Sequence, residues 1–312
     1  LGSAVMAAAT MVYPKVTVKN GVAKISQTEG VYKTQDFLSL VNTSKTKAVR
    51  YRQSDVSKSR SIILQTVYSE IETNLAKYSA KFATIVQDIL RNPDKVTFVY
   101  CDSVTGAGGV FSLALCLQIH GLRWNTEHTR EALLNRNRKF TVITGSSGTE
   151  DSLQSQDKIH KFLEVHNSPE NKYGDLSQVI IGSKVLRLGL TLKHTRKVHI
   201  VTPHWNVSSN DQVESRAIRL EALDEFPPEE RVVEVYLHTA VRSGKERIVI
   251  DNDGTIVSLD PDQRRLKRLK GLKGGPRGAK GNEKGQLPID LRIMEIAETK
   301  VKASSSIQRI IQ

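Results

Sequence analysis

Between Thr66 and Arg91 the apolar residues Ile71, Leu75, Phe82, Ile85, Val86 and Ile89 recur at steps of three and four. That period predicts one amphipathic helix lying on a sheet, ended by Asn92-Pro93, where the ring of proline disfavours further helix. The period then changes. Thr97 to Cys101, Phe140 to Ile143, Val179 to Ile181, Val198 to Val201 and Val232 to Val241 read as strands, most of them apolar on both faces. Helical stretches fall between them, at Val110 to His120, at Asp151 to Val165 and in the segment after Trp205 and Asn206 that carries Gln212, Arg216 and Arg219. Strands alternating with helices predict an α/β fold whose mostly parallel sheet is flanked by helices on both faces. Near the start, Val16 to Ile25 alternates around Asn20-Gly21, a dipeptide suited to the positive φ angles of a tight hairpin turn.

Composition narrows the picture. The chain has 312 residues, 38% of them hydrophobic, enough for one large domain with an extension. No apolar run has the length of a membrane-spanning helix, so no membrane partner is expected. The opening LGSAVMAAATMVY lacks a basic leader and reads as an interior fragment boundary or the residue of an upstream lobe, and not as a signal peptide. Two cysteines, Cys101 and Cys116, are expected as buried free thiols. Eight histidines, His120 and His128 among them, show no metal-ligand spacing, so no metal site is predicted.

The net charge of +13 is unevenly spread. Gln263 to Lys284 carries nine Lys or Arg against one Glu, broken by glycine and proline. An extended run of this kind neutralises phosphates without reading sequence, so Arg264, Arg265, Lys267, Arg268, Lys270 and Lys273 are candidate DNA or RNA contacts. The competing reading is a solubilising or localisation segment.

Nucleotide chemistry is suggested elsewhere. Gln212, Arg216 and Arg219 stand at i, i+4 and i+7 on the helix predicted after the strand that runs into Trp205 and Asn206, so they are expected to share one helical face. An amide and two guanidiniums so placed suit a polyphosphate that gains charge in reaction. Two blander readings compete: a solvated arginine face, and a capping box of Ser209 with Gln212.

The order Gln-x-x-Ser-Arg-x-x-Arg after His-Ile-x-x-Pro-x-Trp-Asn resembles motif VI of superfamily 2 helicases and translocases, with Ser215 where glycine is usual. Upstream, Val179 to Leu192 resembles motif V, with Ser183, Gly189, Leu190 and Thr191 as candidate residues of the nucleotide cleft. Val96 to Val104 resembles motif IV, and Lys77 to Lys81 the stretch that precedes it. Asp290, Ile296, Ala297, Glu298 and Lys300 are similar to the C-terminal helix of viral helicases related to the poxvirus early-transcription-factor small subunit and nucleoside triphosphatase I. The strand Glu229 to Leu237 also suits that group.

This resemblance covers about residues 64 to 312 and implies the second, RecA-like lobe of a two-lobed ATPase. It implies Arg219 as arginine finger, Arg216 and Gln212 beside the γ-phosphate, and Asp102, Ser103 and Thr191 near nucleic acid. It also implies ATP and Mg2+ held mainly by a first lobe, in the same chain or another, and a setting in viral transcription at a cytoplasmic replication site or in the virion, with viral RNA polymerase as a partner. The expected division is an inter-lobe segment over 1–60, the lobe over 61–245, a basic insertion over 246–286 and a helical extension over 287–312.

Two absences in the sequence shape the expectation. No phosphate-loop signature and no Asp-Glu box occur; Gly106 to Gly109 reads as a tight strand-to-helix turn, and Thr144 to Gly148 as a turn into the helix near Asp151. Alone, the chain is expected to be half of an ATPase and inactive. The alternatives are a non-catalytic nucleic-acid-binding scaffold and, more remotely, a dinucleotide-binding enzyme, against which stands the lack of Gly-x-Gly-x-x-Gly.

Overall fold

The structure is a computed structural model. It describes residues 10–30, 55–104, 106, 108–125, 139–145, 155–184, 190–204, 207–216, 218–219, 221–240, 249–250, 256–258, 290, 293–294 and 296–297. Gly189, the basic residues Arg264 to Lys273, and Glu298 and Lys300 lie outside them.

Strands β3 (Val96–Tyr100), β4 (Arg123–Trp124), β5 (Lys139–Ile143), β6 (Val179–Gly182), β7 (Thr195–Ile200) and β8 (Glu234–Leu237) form a six-stranded sheet in the order β4-β5-β6-β3-β7-β8. All five pairings are parallel. Parallel strands need crossovers, and the helices that supply them cover both faces, which is why β3, β5 and β6 are buried at every position. The outline is that of a RecA-like α/β lobe.

The sheet divides the core in two. Val99, Cys101, Phe140, Val142, Val179 and Ile181 face helices α1 (Asp55–Tyr78), α2 (Ala80–Arg91) and α3 (Val110–Ile119). Their neighbours on alternate positions, Phe98, Tyr100, Ile180, Val198 and Ile200, face α4 (Gln156–His166) and Val213 of α5 (Val207–Glu214). Nine of the ten residues of α3 are buried, so this helix needs cover on its outer side as well.

That cover comes from the hairpin of β1 (Tyr13–Lys19) and β2 (Val22–Gly30). Asn20 and Gly21 take φ of 50° and 76°, the conformation expected of a hairpin turn with two positive φ angles. Met11, Tyr13 and Val16 enter the core, and Tyr13 Oη donates to Ser112 Oγ of α3 at 3.0 Å. Residues 10–19, placed by the sequence in an inter-lobe segment, thus pack against the sheet's own helices.

The single helix predicted over 66–91 is two. Ser79 is extended (φ −155°, ψ 96°), and its Oγ accepts from Phe82 N at 3.0 Å, capping α2 and ending α1. Asn74 also departs from helical geometry within α1. The strand predicted over 232–241 is shorter. Pro227 and Pro228 lead into a 3-10 turn over Pro228–Glu230, and only Glu234–Leu237 pairs with β7. Cys101 and Cys116 are buried free thiols, and burial raises the pKa of both well above the ordinary thiol range. Among the described residues no helix is long and apolar enough to cross a membrane.

Candidate nucleotide-facing site

The chain leaves β3 toward one edge of the sheet and leaves β7 toward the other. This reversal opens a crevice at the carboxyl ends of these adjacent strands, the usual ligand position in an open α/β sheet. Asp102 and Ser103 follow β3 there, and Ser183 and Lys184 follow the neighbouring β6. The ladder continues past the strand ends: Cys101 N donates to Gly182 O at 2.9 Å, and Ser183 N to Ile143 O at 3.3 Å. Asp102 accepts from Tyr100 Oη at 3.0 Å and lies 3.3 Å from Lys184 Nζ, so its charge is balanced by a cation that the sequence reading did not single out. Ser183 is buried.

The glycine turn beyond β3 is closed on itself. Gly106 takes φ +88°, and its carbonyl accepts from Gly109 N at 3.1 Å and from Ser112 Oγ at 2.8 Å. Val110 N and Phe111 N, the first amides of α3, donate to Ser103 O and Val104 O at 3.0 and 3.4 Å. The amides of Gly109, Val110 and Phe111 are thus bonded within the loop and not presented to a phosphate, as in a strand-to-helix turn.

The second group joins the motif V and motif VI segments. Arg219 Nη1 donates to Thr191 Oγ1 at 2.6 Å, and its Nε to Ser215 O at 3.2 Å. Backbone bonds hold the two segments side by side, from Leu192 N to Arg216 O at 3.1 Å and from His194 N to Ala222 O at 3.0 Å. Leu190 and Leu192 are buried beside Val213, fastening the same segment to the sheet. Burial lowers the Arg216 pKa, and the charge of Arg219 lowers it further, so two guanidiniums share one neighbourhood. A pair of cations held together is stabilised by an anion between them.

Gln212, Arg216 and Arg219 do not share a continuous helical face, because α5 ends at Glu214; Arg216 follows in a turn, and Arg219 lies beyond it outside any helix. The end is stabilised locally by Ser215, whose Oγ donates to Gln212 O at 2.9 Å. Serine in place of the usual glycine therefore acts as a carbonyl partner; its side chain is exposed and not wedged against a neighbour. Ser209 lies inside α5 and not at the position that precedes it. The Gln212 residue is itself exposed.

Polar residues that the sequence reading passed over surround β7. Lys197 is buried, yet donates to Asp88 Oδ1 and Oδ2 at 2.8 and 3.0 Å and lies 3.2 Å from Glu234. His199 Nε2 is 3.1 Å from Asp88 Oδ2, and its Nδ1 is 2.9 Å from His238 Nε2. Burial works against the Asp88 carboxylate, but hydrogen bonds from His199 and Lys197 outweigh it and hold its pKa down to about 2. The bond from Lys95 leads the causes that hold Glu234 at about 2. Burial lowers His238 to about 3. Nearby, Lys81 forms a buried ion pair with Asp290 and donates to Val201 O at 2.9 Å, while Ala240 N donates to Asp290 Oδ2 at 2.8 Å. Two patches of the sequence resemblance, 209 positions apart, thus meet in one pair. Among the described residues no group of three or more His, Cys, Asp or Glu is placed to hold a metal ion.

Comparison with known proteins yields no matching family profile. Individual relatives do match. The chain is 31% identical over 194 residues to the putative helicase 009L of Frog virus 3, 61% of this chain and 19% of that protein. It is 38% identical over 109 residues to the termination factor NPH-I homolog of African swine fever virus, 34% of this chain and 14% of the relative. It is 30% identical over 169 residues to the putative ATP-dependent RNA helicase R563 of Acanthamoeba polyphaga mimivirus, 54% of this chain and 27% of the relative. The chain therefore spans well under a third of each of these relatives. With its parallel sheet and paired motif V and VI segments, the chain is similar in sequence to viral helicases and NPH-I homologues, and resembles the C-terminal lobe of the superfamily 2 helicases.

Proposed function

We propose that this chain is the arginine-bearing half of a nucleic-acid-dependent ATPase, a helicase or translocase. The observation that carries the reading is the Arg219 to Thr191 contact, which ties the motif VI guanidinium to the motif V segment, with Arg216 beside it. The residues fit one side of a nucleotide: Arg216 and Arg219 offer the cations that a polyphosphate requires, while the closed turn at Gly106 to Gly109 leaves the phosphate cradle and the magnesium carboxylates to a first lobe. Bound ATP and Mg2+ would supply the phosphoryl group and its charge neutralisation. Arg219 then stabilises charge developing on that group, Arg216 and Gln212 orient it, and Ser183, Gly189, Leu190 and Thr191 shape the adjoining wall.

Asp102 and Ser103 face nucleic acid in this reading, together with Thr191 and the basic residues Arg264, Arg265, Lys267, Arg268, Lys270 and Lys273. Contacts of this kind hold the phosphate backbone of DNA or RNA without selecting sequence. Viral relatives named as a termination factor NPH-I homolog and a putative ATP-dependent RNA helicase support a role in viral transcription; a viral RNA polymerase as partner and a cytoplasmic replication site or the virion as setting complete the proposed reading by analogy.

The test is nucleic-acid-stimulated ATP turnover by the whole native gene product, its Arg219→Ala variant and the 312-residue chain alone. The expected outcome is a loss of about 10³-fold or more in kcat for the variant, the scale of an arginine finger, with the short chain inert. Unchanged turnover in the variant would instead favour a basic scaffold. The run of nine Lys or Arg over 263–284 is the observation that supports that second reading.

A further inference from the structure

We propose that Asn167 is a positioning residue for Arg219, acting through Thr191; the proposal rests on Arg219 being the arginine finger. Asn167 is the C-cap of α4, and its side chain turns away from its own helix toward the motif V segment. Its Nδ2 donates to Thr191 O at 3.0 Å, and its Oδ1 accepts from Lys193 N at 2.9 Å. A primary amide has the donor and acceptor spacing of a peptide group, so Asn167 bonds to residues 191 and 193 as a neighbouring strand would.

The opposite edge of the same segment pairs with Arg216 O and Ala222 O through Leu192 N and His194 N. Residues 191–194 are thereby held from both sides, by one side chain and by the arginine-bearing turn. Thr191 is the residue common to the two systems: its carbonyl takes the amide of Asn167, and its hydroxyl takes the guanidinium of Arg219. A shift at Thr191 moves the acceptor that fixes Arg219, and misplacement on the order of 1 Å is enough to lower turnover about 10²-fold. Glutamine would lengthen the arm, and aspartate would keep the acceptor for Lys193 N while losing the donor to Thr191 O.

The experiment reads Arg219 directly, by the hydrogen exchange of its guanidinium Nη–H groups, one of which donates to Thr191 Oγ1, in NMR spectra of the full chain, in Asn167→Ala, Asn167→Asp and Thr191→Val variants. The expected result is Arg219 exchange about fivefold faster or more in both Asn167 variants, as for loss of one hydrogen bond. Combining either with Thr191→Val adds nothing, because both act on one contact. Arg219 exchange unchanged in a folded Asn167→Asp protein overturns the proposal, as does an equal additional effect in the Thr191→Val background. In the two-lobed protein, Asn167→Asp lowers kcat with little change in KM for ATP. An unchanged kcat beside an inactive Arg219→Ala variant overturns the proposal too. Full turnover by Arg219→Ala instead removes the finger reading itself, an outcome that the exchange measurement keeps separate.

Discussion

Removing either partner of a buried ion pair costs more than the pair contributes, because the remaining charge stays out of water. Lys81 and Asp290 are 5% and 0% exposed, and Asp290 also takes the amide of Ala240. Burial lowers the Lys81 pKa while Asp290 opposes the fall, so the lysine depends on its partner to remain charged. Asp290→Ala is expected to destabilise the protein by about 3–5 kcal/mol, read from urea denaturation. Lys81→Met combined with Asp290→Leu is expected to cost less than Asp290→Ala alone, and a larger cost would show that the pair itself, and not the orphaned charge, is the stabilising unit. His166 presents a related case. It is fully buried, its Nε2 meets no hydrogen-bond partner among the described residues, and burial holds its pKa at about 3.

Turns and helix ends decide the elements. The hairpin turn places Gly21 at φ +76° with open space where a Cβ would stand, so a substitution there meets backbone strain alone. Gly21→Val is expected to cost about 1–2 kcal/mol without disturbing the sheet, as a fall in melting temperature with unchanged far-ultraviolet dichroism. This turn was legible in the sequence because Asn-Gly carries its own conformational signal. The central strands were legible because burial on both faces makes each a continuous apolar run. The break at Ser79 was not, since the apolar stripe keeps its period from Ile71 to Ile89 across it. The signal available was the serine three residues before Phe82, whose amide it caps. The end of α5 at Glu214 was missed for the opposite reason: residues 212, 216 and 219 keep helical spacing although the backbone between them turns. Nothing local announces that Asn167 meets residues 191 and 193, a contact that exists only once α4 and the motif V segment lie together.

For the whole molecule, acidity is the broadest lever. His166 and His238 have folded pKa values of about 3 against an ordinary value of about 6.5, so both are neutral when folded and take up protons more readily when unfolded. Their contribution is complete above pH 6.5 and is lost as pH falls toward 3. Asp88 and Glu234, held at about 2, contribute above the ordinary carboxylate range of about 4 and lose that contribution as pH falls toward 2. Melting temperature is therefore expected to drop from pH 7 to pH 5 through the histidines, then further below pH 4 through the carboxylates. A His166→Phe variant flattens the first part of the profile; an equally steep slope between pH 7 and 5 would contradict that assignment. Charge supplies a second prediction at this scale. Deleting residues 264–284 is expected to weaken nucleic-acid binding and to reduce the slope of log affinity against log salt, measured by a titration in increasing potassium chloride.

The hairpin lying over α3 has a practical consequence for dividing the gene. Motif order alone would set the start of an expressible piece near residue 64, where the helicase likeness begins. Met11, Tyr13 and Val16 are nevertheless interior residues, and the phenol of Tyr13 reaches a serine on a helix buried almost all round. A truncation starting at residue 55 would bare a greasy seam along α1 and α3, and the shortened polypeptide would tend to clump in the expression host. The boundary that matters for solubility therefore lies upstream of the boundary that matters for chemistry.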